Sequence, residues 1–323
     1  MSSISRRALF AGLASPFVVG ALRPVHAAIG GPEGQQVSGF TRFSLGAFEI
    51  TVVSDGNLTT PANLLGVNAD GAEVVSFLEK RFLDPVTNYA HTNHVIVNTG
   101  EAMVLVDVGS GDKFQTSAGR LIENLEAAEI DPSDITHVAL THAHPDHIWG
   151  MMDDFGDEPR FPEATYAMGA AEYDWWMKDG RVDDVADGLK PFVVGAQNAL
   201  SPVATATAML SDNDEIVPGV RMIASPGHTL GHMSVVIESE GEQLLVVGDA
   251  INHAYVSFER PNWQFGFDMD KELAVKTRNR LLDMAATDRI AVSGYHLPFP
   301  GVGHVVREGD AYRFIPALVR WNG

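Results

Sequence analysis

From Thr141 to His147 the chain runs Thr-His-Ala-His-Pro-Asp-His, placing three histidines and an aspartate in six consecutive positions. Imidazole nitrogen and carboxylate oxygen are the donors that zinc takes when no thiolate is on offer, and this chain has no cysteine. A tight turn would aim His142 and His144 at one point and Asp146 and His147 at a second point nearby. Three more candidate ligands follow apolar runs: His228 in Ser225-Pro226-Gly227-His228, Asp249 closing Leu245-Val246-Val247-Gly248, and His296 in Gly294-Tyr295-His296. Alone, Asp249 reads as a helix cap and His296 as an ordinary turn residue. Together the seven are ordered as one site for two divalent metal ions, zinc first, with cobalt or manganese also compatible with nitrogen and oxygen donors. Two adjacent metals can share a hydroxide, because coordination lowers the pKa of water from about 15.7 to about 7. That bridging hydroxide is the expected nucleophile toward a carbonyl or phosphoryl centre, with Asp146 and Asp249 the catalytic carboxylates that relay protons. No Gly-x-Ser-x-Gly offers a serine alternative.

The elements that would position these residues show in the hydrophobic pattern. Phe43, Leu45, Phe48, Ile50 and Val52 alternate at period two, and Val53-Ser54-Asp55-Gly56 reads as the turn that closes the hairpin. Residues 70–82 pattern as a helix with Val74, Val75, Phe77, Leu78 and Phe82 on one side. Val95–Val97 and Met103–Val106 read as paired strands, and Ser117–Glu129 as an amphipathic helix. Ile135–Leu140 is a buried strand that ends where the histidines begin. Helices are expected at Ala170–Lys178, around Pro191–Leu200 and at Asp270–Ala286. Strands are expected at Val220–Ala224, Ser234–Glu238, Gln243–Val247 and Arg289–Ser293. Two groups of strands separated by helices favour packed sheets with outer helices over an alternating barrel.

The string His142-Ala-His144-Pro-Asp146-His147, followed by His228, Asp249 and His296, resembles the metallo-β-lactamase superfamily. The resemblance runs from about Phe40 to Pro316 and implies a four-layer αββα sandwich. It further implies that His142, His144 and His228 hold one metal, that Asp146, His147 and His296 hold the other, and that Asp249 bridges them. Asp107, ending Val104-Leu105-Val106, matches a strand-end aspartate of the family that orients a ligand histidine. Here it is followed by Val-Gly where many members have Thr-Gly. The stretch from His296 to His304, continuing through Tyr312 to Pro316, resembles methyl parathion hydrolase and the dihydrocoumarin-type lactonases more closely. By family position Phe114, Trp176 and Phe192 suit pocket walls, Phe267 belongs to an aromatic-rich segment after Asp249, and His232 is the one of the remaining histidines expected to touch the site, beside the ligands rather than among them. Asn252 stands where many homoserine lactonases have a tyrosine that helps the substrate carbonyl, and the departure counts against homoserine lactonase activity. An aromatic rim suits an apolar or aryl ester, lactone or phosphotriester.

The expected activity is therefore hydrolysis of small apolar or aryl esters and lactones, with phosphotriesters as a further class. N-acyl homoserine lactone hydrolysis is an alternative, as is a metal-binding protein of the same fold that does no chemistry. Degenerate members of such a family lose ligands, and none is missing here. A formal net charge of −20 argues against nucleic acid and anionic membrane as partners, and against the tRNA-processing relatives. No basic glutathione-binding tail appears in residues 300–323, which separates the chain from glyoxalase II. Residues 1–27 read as a signal peptide: Arg6-Arg7, an uncharged run from Ala8 to Leu22, and Val25-His26-Ala27 before a cleavage point. The paired arginines suggest twin-arginine export to the periplasm or beyond. Residues 28–37 form a glycine-rich leader, and 38–323 the hydrolase domain. A homodimer is expected, with Trp175-Trp176 as a surface that would serve it.

Overall fold

The computed structural model describes residues 39–153 and 158–318; the expected signal peptide and leader lie outside these. Seven strands make the first sheet, in chain order: β1 (Phe40–Leu45), β2 (Phe48–Pro61), β3 (Thr87–Asn98), β4 (Met103–Val106), β5 (His137–Leu140), β6 (Thr165–Gly169) and β7 (Thr207–Leu210). Its first three pairings are antiparallel and its last three parallel. The second sheet is laid out as β14-β13-β12-β11-β10-β9-β8, from β8 (Glu215–Val217), β9 (Val220–Ala224), β10 (Met233–Ser239), β11 (Glu242–Val246), β12 (Ala291–Ser293), β13 (Val302–Glu308) and β14 (Ala311–Pro316). Within it only β11 and β12 run parallel.

Side chains alternate across a strand, and that alternation sorts the core into layers. Val95 and Val97 of β3, Val104 and Val106 of β4, Val235 and Ile237 of β10, and Leu244 and Val246 of β11 meet between the sheets. Their neighbours Ile96 and Leu105 turn the other way. They pack with helices over Leu121–Ala127, Ala170–Met177 and Lys190–Leu200. Val236 and Leu245 likewise turn outward onto the long helix Lys271–Asp288 through Leu281, Leu282 and Ala285. The result is helix, sheet, sheet, helix, the expected αββα sandwich. Each fully buried aliphatic side chain contributes about 1.5–3 kcal/mol relative to exposure, so the central layer holds its strands in fixed register.

Several local expectations are corrected. The turn expected at Val53–Gly56 is a bulge: β2 continues to Pro61, with its register against β3 shifting between Ser54 and Gly56. Gly56 takes φ +117, and a Cβ there would meet the Ser117 carbonyl oxygen at 2.2 Å. The helix expected over Ser117–Glu129 starts only at Leu121, whose N–H donates to Asp55 Oδ1 at 2.6 Å. The helix expected over 70–82, α1 (Gly71–Glu79), ends before Phe82, which is 99% exposed with φ +58. Strands β6, β7, β8, β13 and β14 lie outside the expected set. β7 and β14 are edge strands that bury few side chains, and their patterns are correspondingly weak.

Candidate metal centre

Both sheets deliver ligands from the carboxyl ends of parallel strand pairs. β4 runs into Asp107 and β5 into Thr141-His142, while β11 runs into Asp249 and β12 into Tyr295-His296. After β5, Pro145 opens a single helical turn, Pro145–Ile148, that carries Asp146 and His147. Proline suits that first helical position because its missing N–H would have no partner there. His228 arrives on the loop between β9 and β10, where Gly227 at φ +134 packs against the backbone of Ala274.

The seven expected ligands converge. Donor atoms of His142, His144 and His228 lie within 4.8 Å of one another, as do those of Asp146, His147 and His296, and those of His142, His147 and Asp249. Asp249 Oδ2 stands 3.2 Å from His228 Nε2 and 3.2 Å from His296 Nε2, so one carboxylate oxygen faces a donor of each triplet. His147 Nε2 is 3.2 Å from Asp249 Oδ1 and 3.4 Å from Asp146 Oδ2, and His296 Nε2 is 3.4 Å from the same Asp146 oxygen. Two donors about 2.0–2.2 Å from one tetrahedral ion sit about 3.3–3.6 Å apart, so these spacings fit shared ions. His142 Nε2, His147 Nε2, Asp146 Oδ2 and Asp249 Oδ1 are buried and have no hydrogen-bond partner in the protein. Buried polar atoms are ordinarily partnered. Four such orphans aimed into one cluster of nitrogen and oxygen donors fit a pair of divalent cations.

Burial, reinforced by the neighbouring imidazoles, pushes His142 and His144 well below the usual histidine range, which leaves their lone pairs free. Burial alone would raise the two carboxyls. The facing histidines outweigh it, and Asp146 and Asp249 are both held below the normal aspartate value. His147 and His296 are driven the opposite way: burial opposes it, but Asp146 and Asp249 prevail, and His296 is pushed up to about 10. A metal must displace those protons, so its affinity rises with pH.

A shell of hydrogen bonds orients the ligands. Asp107 Oδ2 accepts from His147 Nδ1 at 2.8 Å, and its two oxygens also take the Thr141 N–H and hydroxyl. His296 Nδ1 donates to the His91 carbonyl at 2.7 Å. His232 lies behind Asp249, its Nε2 accepting the Asp249 N–H at 3.0 Å while Nδ1 bonds Ser225 Oγ. Burial pushes His232 down to about 3, keeping it neutral for that acceptor role. The sequence reading missed Asp268, whose Oδ1 faces His228 Nδ1 at 3.0 Å and whose other oxygen pairs with the buried Arg278. It also missed Glu172, fully buried, which accepts from Ala143 N, Trp176 Nε1, Thr229 Oγ1 and Gly231 N. Glu172 thereby ties the His142–His144 turn to the His228 loop. Neither acid belongs to a local motif, so its spacing carried no signal.

Above the ligands opens a cleft of about 540 Å³, its mouth included. Its walls are Leu58, Ala90, Phe114, Phe192, Phe265 and Phe267, and its floor includes His144, Asp146, His228, Asp249, Asn252 and His296. Of the expected substrate residues, Phe114, Phe192, Asn252 and Phe267 line it. Trp176 does not: it is fully buried, its Nε1 bonded to Glu172 at 2.7 Å and its ring edge-on to His144. This corrects its place as a pocket wall and leaves only half-buried Trp175 of the expected Trp pair near the surface.

A family model described as the metallo-beta-lactamase superfamily matches residues 88–296, and the chain belongs to that family. It is similar in structure to AidC, a dizinc quorum-quenching lactonase solved with the product N-hexanoyl-L-homoserine. That likeness has a TM-score of 0.83 and 27% identity over 88% of this chain and 99% of that one. The hydrolase AbOPH matches at TM-score 0.82 and 27% identity, covering 88% of this chain and all of that one. An N-acyl homoserine lactonase of Bacillus sp. is 21% identical over 243 residues, which is 69% of this chain and 85% of that protein. The protein is a metal-dependent hydrolase.

Proposed function

We propose that this protein hydrolyses lactones and esters with apolar acyl or aryl groups, N-acyl homoserine lactones among them, using two zinc ions. The observation that carries this reading is the junction of a seven-donor dinuclear floor with a cleft walled by aliphatic and aromatic side chains. Similarity to two lactonases supports it. Two bound dications would supply Lewis acidity and bring the pKa of water near neutrality.

The chain's own residues do the rest. His142, His144 and His228 would hold one ion, Asp146, His147 and His296 the other, and Asp249 would touch both. Asp249 and Asp146, ionised carboxylates of the floor, would take the proton of the attacking water and pass it to the departing alkoxide. Phe114, Phe192 and Phe267 exclude water from the acyl group and bind it by apolar contact. A panel of γ- and δ-lactones, N-acyl homoserine lactones, aryl esters and an aryl phosphotriester, compared by kcat/KM, tests this. Preference for a lactone with a long acyl chain is expected, and loss of all turnover on chelation with recovery on adding zinc. Hydrolysis of none of the panel by the two-zinc protein discards the reading and favours a non-catalytic metal binder. The aromatic walls also favour a second reading, aryl phosphotriester hydrolysis, which the same panel decides. We further propose that the protein is exported, on the arginine pair and uncharged run of residues 1–27.

A further inference from the structure

The three ligands Asp146, His147 and His296 come from opposite sheets. Asp146 and His147 ride on the helical turn after β5, and His296 follows β12. Register within each sheet fixes its own backbone but not the spacing between the two. Tyr295 crosses that gap. It is buried at the end of β12, and its hydroxyl donates to the Asp146 carbonyl oxygen at 2.6 Å. The carbonyl carries no proton, so the hydroxyl must be the donor. Its ring stacks on the His147 imidazole, with centroids 3.9 Å apart and planes 30° from parallel.

The tyrosine is itself held from the first sheet. Its hydroxyl oxygen lies 3.2 Å from His94 Nε2, and His94 Nδ1 stands 3.2 Å and 3.0 Å from the carbonyl oxygens of Val106 and Asp107. The Tyr295 carbonyl accepts the Asn93 N–H at 3.0 Å. Both ends of the residue are therefore anchored on β3, the strand whose His91 carbonyl also takes the proton of His296 Nδ1. One side chain thus touches Asp146 and His147 and adjoins His296 along the chain.

We propose that Tyr295 is a positioning residue for the ion held by Asp146, His147 and His296, setting the spacing between the ligands that the two sheets contribute. The inference rests on the two-ion reading above and adds the residue that assembles one half of it. Glu172 has the matching place at the other ion, where it joins the His142–His144 turn to the His228 loop. Groups behind metal ligands commonly govern affinity through such orientation. The ring and the hydroxyl of Tyr295 make separate contacts, so their shares can be separated by substitution.

The test measures the two zinc affinities of wild type, Tyr295→Phe and Tyr295→Leu by competition with a chelator. Cadmium-113 spectra, with a resonance for each ion, tell the three-histidine ion from the two-histidine ion. Thermal midpoints are taken on the metal-free proteins. Tyr295→Phe keeps the stack and loses the hydroxyl, so affinity for the two-histidine ion should fall roughly tenfold, with the other ion within about twofold. Tyr295→Leu loses both contacts, and the same ion should weaken roughly a hundredfold. Both affinities within about twofold of wild type in Tyr295→Phe, or equal losses at both ions, overturn the inference while the hydrolase reading stands. A lowered thermal midpoint with both affinities unchanged assigns Tyr295 to packing alone and overturns it too. If Tyr295→Leu fails to fold, Tyr295→Phe decides by the same criteria. Wild type that binds fewer than two ions overturns the inference together with the reading beneath it.

Discussion

The floor of the cleft and its walls are built in opposite ways. The floor is set by strand ends: Asp107, His142, Asp249 and His296 each stand within three residues of a strand that pairs in parallel inside a sheet. Sheet register fixes those backbones, and Asp107, Asp268, His232 and Glu172 fix the side chains or the loops behind them. The walls come from scattered segments instead. Leu58 and Ala90 lie on paired strands, Phe114 on a loop, Phe192 on a helix, and Phe265 and Phe267 on the segment after Asp249. The rings meet by their edges, Phe114 against Phe192 at 6.3 Å and Phe265 against Phe267 at 5.4 Å between centroids, and these apolar side chains form no hydrogen bonds of their own. A rigid floor under adaptable walls keeps the reaction constant while the substrate range changes. Floor and wall substitutions should therefore fail in different ways.

The largest effect belongs to Asp249, which faces both triplets. Asp249→Ala should lower turnover by roughly a thousandfold or more, with fewer than two ions per chain by elemental analysis. Two retained ions with near-wild-type rates would remove the distinction between floor and wall. The two halves of the floor can next be separated. Asp268→Asn acts on His228 and Asp107→Asn on His147, so each should weaken a different ion. A loss of about 10–100-fold in metal affinity is expected for each, read from competition with a chelator. Identical effects on both ions would mean that the floor responds as one unit. On the walls, Phe192→Ala should raise KM for a long-chain substrate by roughly tenfold and spare a short one, with metal content unchanged. Loss of metal there would show that the walls help to set the floor.

The smallest effect is on stability and comes from His232. Its folded pKa of about 3 lies below the ordinary value near 6.5, so between those pH values the unfolded chain binds a proton that the folded chain refuses. Stability from this group is complete above about pH 6.5 and falls as pH drops toward 3, costing about 2 kcal/mol at pH 5. Urea melts of metal-free protein at pH 7 and pH 5 should show a slope that includes this loss. His232→Gln should flatten it by that amount, and an unchanged slope would assign it to other groups.

The same contrast explains what the sequence disclosed. The ligand cluster at 142–147 is local, and the apolar strands before Asp249 and His296 announce carboxylate and imidazole at strand ends. The sandwich followed from two strand groups and from family resemblance. Contacts between distant segments left no such mark. Asp268 is forty positions from His228, and Glu172 looks like any acid on a helix. Trp175-Trp176 shows how a pair of adjacent aromatics misleads. Adjacent residues on a helix point about 100° apart, so the two rings meet different surroundings, and Trp176 is the one turned inward onto Glu172 and His144. Gly56 read as a turn because a bulge and a turn ask for the same residue, a glycine at positive φ.

Titrating metal-free protein with zinc, while counting bound ions and following hydrolysis of an N-acyl lactone, confronts floor and function together. Two ions should bind per chain, with turnover negligible in the apoprotein and complete only when the second is in place. Full activity at one ion per chain, or activity untouched by metal removal, would contradict a dinuclear centre made by these seven side chains.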